Sequence, residues 1–292
     1  MDTLRAFEER FGKKIDAVVS FEVGGANSLI PIIAAAGMGI PVIDGDGMGR
    51  ALPEAQMMTY PISGVLPTPA LTTDYRGAVT EFHTKNILEF ELEIRQCALS
   101  SGGMITSAEH PMTGRQLKAS IVPRTITFSV ELGRLLREYR GNAHRIFEPM
   151  AALFANSIYG GVHHLYTGKV VDSSTKIIGG YDVGEATIAS FEGYGSPLKI
   201  SIKNEYLLAQ IGGKTVASVP DLITILDYET STPINAERLR FGQRVTVYGV
   251  GCPAFYRTEK ALGFVAPRCF GFDFDYQPIE SLALSAKPAL PT

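Results

Sequence analysis

Ile15-Asp-Ala-Val-Val-Ser-Phe21, then Glu22-Val-Gly-Gly-Ala-Asn27, and after an apolar run Ile40-Pro-Val-Ile43 followed by Asp44-Gly-Asp-Gly-Met-Gly-Arg50, is the stretch that decides the fold. The two β-branched runs are the kind that fill buried parallel strands. Between them Gly24 and Gly25 make a turn, and Asn27 or Ser28 can cap a helix reaching about Ala36. Pro31 fits that helix if it lies in the first turn, where its missing N–H costs nothing. Gly37 and Gly39 stop it. Strand, helix and strand within about 30 residues predict a right-handed parallel crossover.

Outward from this unit the pattern changes twice. Upstream, Asp2 to Lys13 reads as a short amphipathic helix with Leu4, Phe7 and Phe11 on one side. Downstream, Pro61 to Phe82 breaks into short extended pieces. Leu88-Glu-Phe-Glu-Leu-Glu-Ile94 alternates like a strand, yet Ile87, Phe90, Ile94 and Cys97 share one helical face with Glu91 and Arg95 at i,i+4. Its length and good helix formers predict a helix. Two more helices are expected over Thr127–Tyr139 and Ala143–Asn156. Beyond Tyr159, short apolar runs recur between Gly, Pro and Asp turns: Lys169–Val171, Ala186–Ile188, Leu198–Ile202, Val216–Val219, Leu222–Leu226 and Arg244–Val247. The expectation is an α/β N-terminal half with a parallel or mixed sheet over residues 1–157. An all-β half, sandwich or barrel-like, follows over residues 158–292.

Bulk properties narrow the function. Across 292 residues, 45% hydrophobic and 20% charged is ordinary globular composition, and the net charge of −3 argues against nucleic acid or an anionic membrane surface as partner. Cys97, Cys252 and Cys269 form neither a disulfide framework nor a zinc pattern, which suits a reducing compartment. The acidic start, with Asp2, Glu8 and Glu9, is not that of a secretory leader, and the run from Ser28 to Ile43 is too interrupted to span a bilayer. A cytoplasmic location is expected.

The chemistry is expected where the two strands end. Ligands of open α/β sheets sit outside the carboxyl ends of the strands, and glycines there let backbone N–H groups approach them. Glu22, Asp44, Asp46 and Glu54 with Arg50 bring carboxylates and one guanidinium to that surface. They suit acid–base work, metal ligation or a substrate carboxylate. The competing reading is that Gly45-Asp-Gly47 only makes tight turns and Arg50 neutralises Asp44, and the Gly45, Gly47 and Gly49 spacing is a weak dinucleotide signal. No Gly-Lys-Ser/Thr follows, so this is not a P-loop. Of His83, His110, His144, His163 and His164, none forms a zinc motif. His110, in Glu109-His110-Pro111, is the histidine best placed to reach the site. Cys252 and Cys269 have no paired base nearby in sequence.

These motifs resemble a known family. Glu-Val-Gly-Gly-Ala-Asn-Ser at 22–28, Pro-Val-Ile-Asp-Gly-Asp-Gly-Met-Gly-Arg-Ala at 41–51 and Pro-Glu at 53–54 look like the signature of the S-methyl-thiohydantoin desulfurase family. Lys203-Asn-Glu205, Val219-Pro-Asp-Leu-Ile223, Arg240-Phe-Gly-Gln-Arg-Val245 and Ala266-Pro-Arg-Cys-Phe-Gly271 resemble its C-terminal domain. The resemblance implies removal of sulfur from C2 of a thiohydantoin ring, leaving a hydantoin. A carboxylate, Asp44 or Asp46, or a bound divalent metal would then activate water, with Glu22 and His110 as further catalytic candidates. Arg50 would hold a substrate carboxylate, and Asn27 with the Gly24 and Gly25 amides the ring carbonyl or the developing charge, with Glu54 beside them. Two alternatives stand beside this one: a hydantoinase-like ring-opening amidohydrolase, and a non-catalytic subunit of a hydantoin or oxoprolinase complex. A homo-oligomer is also expected.

Overall fold

The computed structural model describes residues 2–285, and the chain divides into two compact units between Thr127 and Phe128. The first unit opens with α1 (Asp2–Phe11), whose Phe7 is buried against Leu71 and Ala108 with Leu4, Phe11 and Ile15 around it. Next come β1 (Val18–Ser20), α2 (Gly25–Met38) and β2 (Val42–Asp46). β1 and β2 are parallel, pairing Val18 with Val42 and Ser20 with Asp46, as the strand–helix–strand reading requires. A 3-10 turn at Ala55–Met57, α3 (Thr59–Ile62) and the antiparallel pair β3 (Ala70–Thr73) and β4 (Val79–Phe82) follow.

Over the ambiguous stretch, α4 (Ile87–Ser100) settles the matter as a helix. The Asn86 side chain caps it, accepting the Glu89 N–H at 2.9 Å. Phe90, fully buried, leads Ile87, Ile94 and Cys97 onto Ala70 and Phe82, while Leu88 and Leu92 stay exposed. A strand would have buried Leu88, Phe90, Leu92 and Ile94 together, so packing selects the 3.6-residue period. The unit ends with β5 (Thr106–Ala108), α5 (Gly114–Ser120), β6 (Val122–Pro123) and the start of α6 (Thr125–Glu138). Its two small sheets run β1-β2-β6, which is mixed, and β4-β3-β5, which is antiparallel.

In the second unit, α6 and α7 (Phe147–Ala155) enclose an aromatic cluster of Phe128, Phe154 and Tyr159 beside Leu226 and Tyr248. The chain then becomes one seven-stranded antiparallel sheet. Its strands are β7 (Val162–Ile178), β8 (Tyr181–Ser190), β9 (Leu198–Lys203), β10 (Glu205–Ile211), β11 (Lys214–Ser218), β12 (Leu222–Asp227) and β13 (Arg244–Val250). They lie in the order β11-β10-β9-β8-β7-β13-β12. β10 and β11 nevertheless touch β12 at the far edge, so the sheet curls into a half-barrel. Val170, Ile188, Leu198, Ile200, Val245 and Val247 fill its inside with no exposure, each contributing about 1.5–3 kcal/mol by leaving water. The residue 157–158 boundary falls in the turn between α7 and β7, inside this unit. α8 (Glu259–Val265) and α9 (Ile279–Ser285) follow the sheet. Among the described residues no helix is long and apolar enough to cross a membrane.

Candidate functional site

The ends of β1 and β2 are held together by one carboxylate. Asp46 is fully buried, and its Oδ2 accepts the Val23 N–H at 2.6 Å while Oδ1 accepts those of Met48 at 3.2 Å and Gly49 at 2.7 Å. The Gly47 N–H donates to Phe21 O at 3.0 Å and carries the strand pairing one step further. Burial pushes the Asp46 carboxyl up to about 6, against the pull of its three amide donors. Gly45 and Gly47 are explained by packing. A Cβ on Gly47 would stand 2.6 Å from Tyr60 Cε2, and one on Gly45 2.5 Å from Ile121 Cδ1. Tyr60 also ties the end of β1, donating its hydroxyl to Ser20 O at 3.0 Å.

α2 begins earlier than the sequence indicates. Its N-cap is Gly24, with no side-chain cap, rather than Asn27 or Ser28, and Gly25 takes a left-handed φ of 50°. Pro31 is therefore well inside the helix rather than in its first turn. Proline removes the N–H that would have reached Asn27 O, and the fold supplies another donor: Ser20 Oγ lies 2.9 Å from that carbonyl, with Glu22 O also in reach. Asn27, freed from a capping role, donates its Nδ2 to Glu22 Oε1 at 2.6 Å. Both side chains are half-buried. A Cβ on Gly24 would stand 3.7 Å from Glu22 Oε1 and 4.0 Å from Ala51 Cβ, so Glu22, Gly24, Asn27 and Ala51 share one surface.

The other acids of the motif have different neighbours. Asp44 is exposed and turns to the first turn of α6, accepting Thr127 N–H at 3.0 Å and Thr127 Oγ1 at 2.6 Å, as a helix cap does. Arg50 is buried and donates its Nε to Ala51 O at 3.1 Å. Glu54 accepts from Gln56 Nε2. Among the described residues no three His, Cys, Asp or Glu side chains are grouped so as to hold a metal ion.

His110 follows β5 with a left-handed φ of 50° and is only 3% exposed. Neither ring nitrogen has a hydrogen-bond partner. Tyr60 and Phe90 flank it at ring-centre distances of 6.0 and 6.1 Å. Burial pushes its pKa down to about 3, so the ring is neutral. The Glu109 carboxyl lies 3.8 Å from His110 Nδ1; burial, with the Glu91 charge adding to it, pushes that acid up to about 7. A contact of ion-pair length thus joins two groups that are both uncharged near pH 6. On α4, Glu91 accepts the Ala55 N–H at 2.7 Å, and Arg95 binds Glu91 and donates to Pro53 O at 3.0 Å. The tail of the motif is pinned to the same helix that flanks His110. Sequence reading took Glu91 and Arg95 only as helix support and gave no sign of Tyr60 or Ser20.

No curated protein matches the chain. A crystal structure of a protein from Chromobacterium violaceum matches with a TM-score of 0.79 at 21% identity, covering 95% of this chain and 78% of that one, a likeness of fold alone. Two family models account for residues 1–279: one described as S-Me-THD-like, N-terminal domain, over 1–84, and one as S-Me-THD-like, C-terminal domain, over 85–279. On that coverage the chain belongs to the S-Me-THD-like family, the family its strand-end motif resembles, and with it to thiohydantoin-related function.

Proposed function

We propose that the chain is a hydrolytic desulfurase of a small thiohydantoin-type ring, working at the surface made by Glu22, Gly24, Gly25 and Asn27. One observation carries the reading: a half-buried carboxylate, held by Asn27 at 2.6 Å, stands beside the start of a 14-residue helix whose N-cap offers no side chain. Amides in such a first turn favour negative charge. Glu22 takes a proton as water adds to C2. The tetrahedral centre then expels sulfur as C2 becomes the hydantoin carbonyl, and the developing charge faces the Gly25 end of α2. Water enters and a thiol or sulfide leaves, with no net change in protons.

The remaining residues take roles that follow from their contacts. Asp46 spends both oxygens on amides without exposure, so it sets the distance between the strand ends rather than activating water. Asp44 fixes the start of α6. Arg50 and Glu54 line the approach at the end of the motif and contact the substituent on the ring. The protein works as a homo-oligomer in the cytoplasm.

Sulfur release from a panel of thiohydantoins tests the proposal. Glu22→Gln is expected to lose about 10²–10⁴-fold in turnover with little change in folding. Full turnover by that variant would remove Glu22 from the chemistry. Ring opening without sulfur release would favour the amidohydrolase, and neither reaction the non-catalytic subunit.

A further inference from the structure

We infer that the outer face of α2 is where two copies of this chain join, the two helices packing antiparallel about a two-fold axis at Pro31. The inference rests on the homo-oligomer reading and supplies its interface, independently of the chemistry given to Glu22.

α2 inverts the usual order of a surface helix. Every one of its exposed residues is apolar or glycine, while its polar residues, Asn27 and Ser28, are half-buried. Leu29 and Ile33 are 60% and 68% open to water, with Ile30 and Ile32 exposed beside them. The helix carries no charged residue along its whole length. A surface helix ordinarily turns its polar side outward, and one that is apolar all round is covered by something. α4 gives the contrast: it too exposes Leu88, Leu92 and Leu99, but Glu93 and Gln96 are exposed among them.

The order of the exposed residues points to a second copy. Leu29 and Ile33, and inside them Ile30 and Ile32, stand at equal distances on either side of Pro31. Toward the ends, Ala26 and Ala36, then Gly25 and Gly37, do the same. Across a two-fold axis at Pro31, Leu29 of one copy therefore meets Ile33 of the other. The glycine and alanine ends pair likewise and let the backbones come close. With no charge on either helix, no like charges meet and none is buried unpaired. The exposed face amounts to on the order of 500 Å² per copy, so a pair buries about 1,000 Å², which is what a specific interface needs. On one flank a cleft separates Ile30 and Ile33 from Asp2, Thr3, Thr73 and Asp74, which gives the apolar centre a polar rim. A lipid surface fits less well, because a helix lying on one carries Lys or Arg along a polar face, and α2 has neither. First-turn amides point along the helix axis rather than into the packed face. The surface of Glu22 and Asn27 thus stays open, bordered by the end of the other copy's helix.

This register can be tested with charges. Leu29 and Ile33 are exposed enough that replacing either leaves the fold intact. Leu29→Glu and Ile33→Lys are made separately in the full chain. Mass in solution is followed by light scattering and sedimentation across a dilution series, with thermal melts as the folding control. Wild type should dimerise. Each variant alone buries a charge against an apolar side chain twice per pair, and should weaken dimerisation by about 10²-fold or more. Mixed one to one, the two variants set a carboxylate against an ammonium at one contact and keep Leu29 against Ile33 at the other. The mixture should recover dimerisation to within about tenfold of wild type. Single variants that dimerise like wild type, or a mixture of folded variants that stays monomeric, overturn this inference alone. A wild-type chain that is monomeric at every dilution overturns the homo-oligomer reading and this inference together, and its pelleting with phosphatidylcholine vesicles would assign the face to lipid.

Discussion

At Asp46 two opposing forces act on one carboxyl group: burial favours the neutral acid, and three amide donors favour the ion. Asparagine at this position keeps one acceptor and turns an NH2 toward donors. Asp46→Asn should therefore cost about 2–4 kcal/mol in urea unfolding, with turnover per folded molecule falling less than in Glu22→Gln. An unchanged unfolding midpoint would rule out the brace. Glu109 gives a second prediction at this scale. Burial pushes its acid up to about 7 from the ordinary 4.5, so between those values the folded state binds the extra proton. Its contribution is complete below about pH 4.5 and falls as pH rises to about 7, by on the order of 3 kcal/mol. Asp46 acts with the same sign between 3.8 and about 6. His110 acts oppositely: pushed down to about 3 from 6.5, its contribution is present above 6.5 and lost as pH falls through about 3. Urea midpoints measured from about pH 4.5 to about 7.5 should decline in wild type and stay flat or rise slightly in Glu109→Gln, where the opposed Asp46 and His110 contributions about cancel. Equal slopes in the two proteins would mean that Glu109 does not hold its proton.

α2 shows at the level of an element what local sequence conveys and what it leaves out. Gly39 was readable as the stop because only local backbone geometry is involved, and it takes the left-handed C-cap with a φ of 69°, while Gly37, expected to end the helix with it, lies inside the last turn. The start was misplaced because Asn27 looks like a cap by type, while its actual partner, Glu22, belongs to the preceding strand end. Nothing around Pro31 announces that Ser20, eleven positions upstream, restores the hydrogen bond it removes. That compensation is testable as a coupling. Ser20→Ala should destabilise the protein by about 1–2 kcal/mol, because it strips the donor from Asn27 O. In a Pro31→Ala background the helix supplies its own N–H, and the same change should cost about 1 kcal/mol less. Additive effects in the thermal melts of the four proteins would mean that Ser20 serves Glu22 O or packing instead. α4 was readable for the converse reason. Both periods were visible, but the Ile87, Phe90, Ile94 and Cys97 face found Ala70 and Phe82 to cover it, and the Leu88 and Leu92 face found nothing comparable.

Across the molecule, the β-runs after Tyr159 were legible because a curled sheet buries one face of each strand and leaves a period of two in the sequence. β10 and α8 escaped notice: β10 buries Tyr206 to Ala209 consecutively, which hides the alternation, and α8 is only seven residues long. Nor did sequence reveal what fastens the segment after the sheet, because the fastening depends on groups far apart in the chain. Asp221, at the start of β12 and fully buried, accepts the Cys252 N–H at 2.8 Å, the Ile279 N–H at 2.7 Å and the Tyr276 hydroxyl at 2.9 Å. Arg257 reaches it at 3.3 Å while also binding Glu280 at 2.8 Å. One carboxylate thus joins the ends of β12 and β13 to the start of α9. The same surroundings push the Cys252 thiol up to about 12, first by burial and then by the Asp221 charge, which makes it inert as a nucleophile. Removing this acid leaves Arg257 half-paired and two buried amides without acceptors. Asp221→Ala should therefore cost about 3–5 kcal/mol in urea unfolding, with Asp221→Asn retaining part of it. Limited proteolysis of Asp221→Asn under native conditions should cut first between Phe272 and Ile279, where the fastening lies, before the half-barrel opens. A variant that keeps the wild-type midpoint and cleavage pattern would show that hydrophobic packing of Ile279 against the sheet holds α9 by itself.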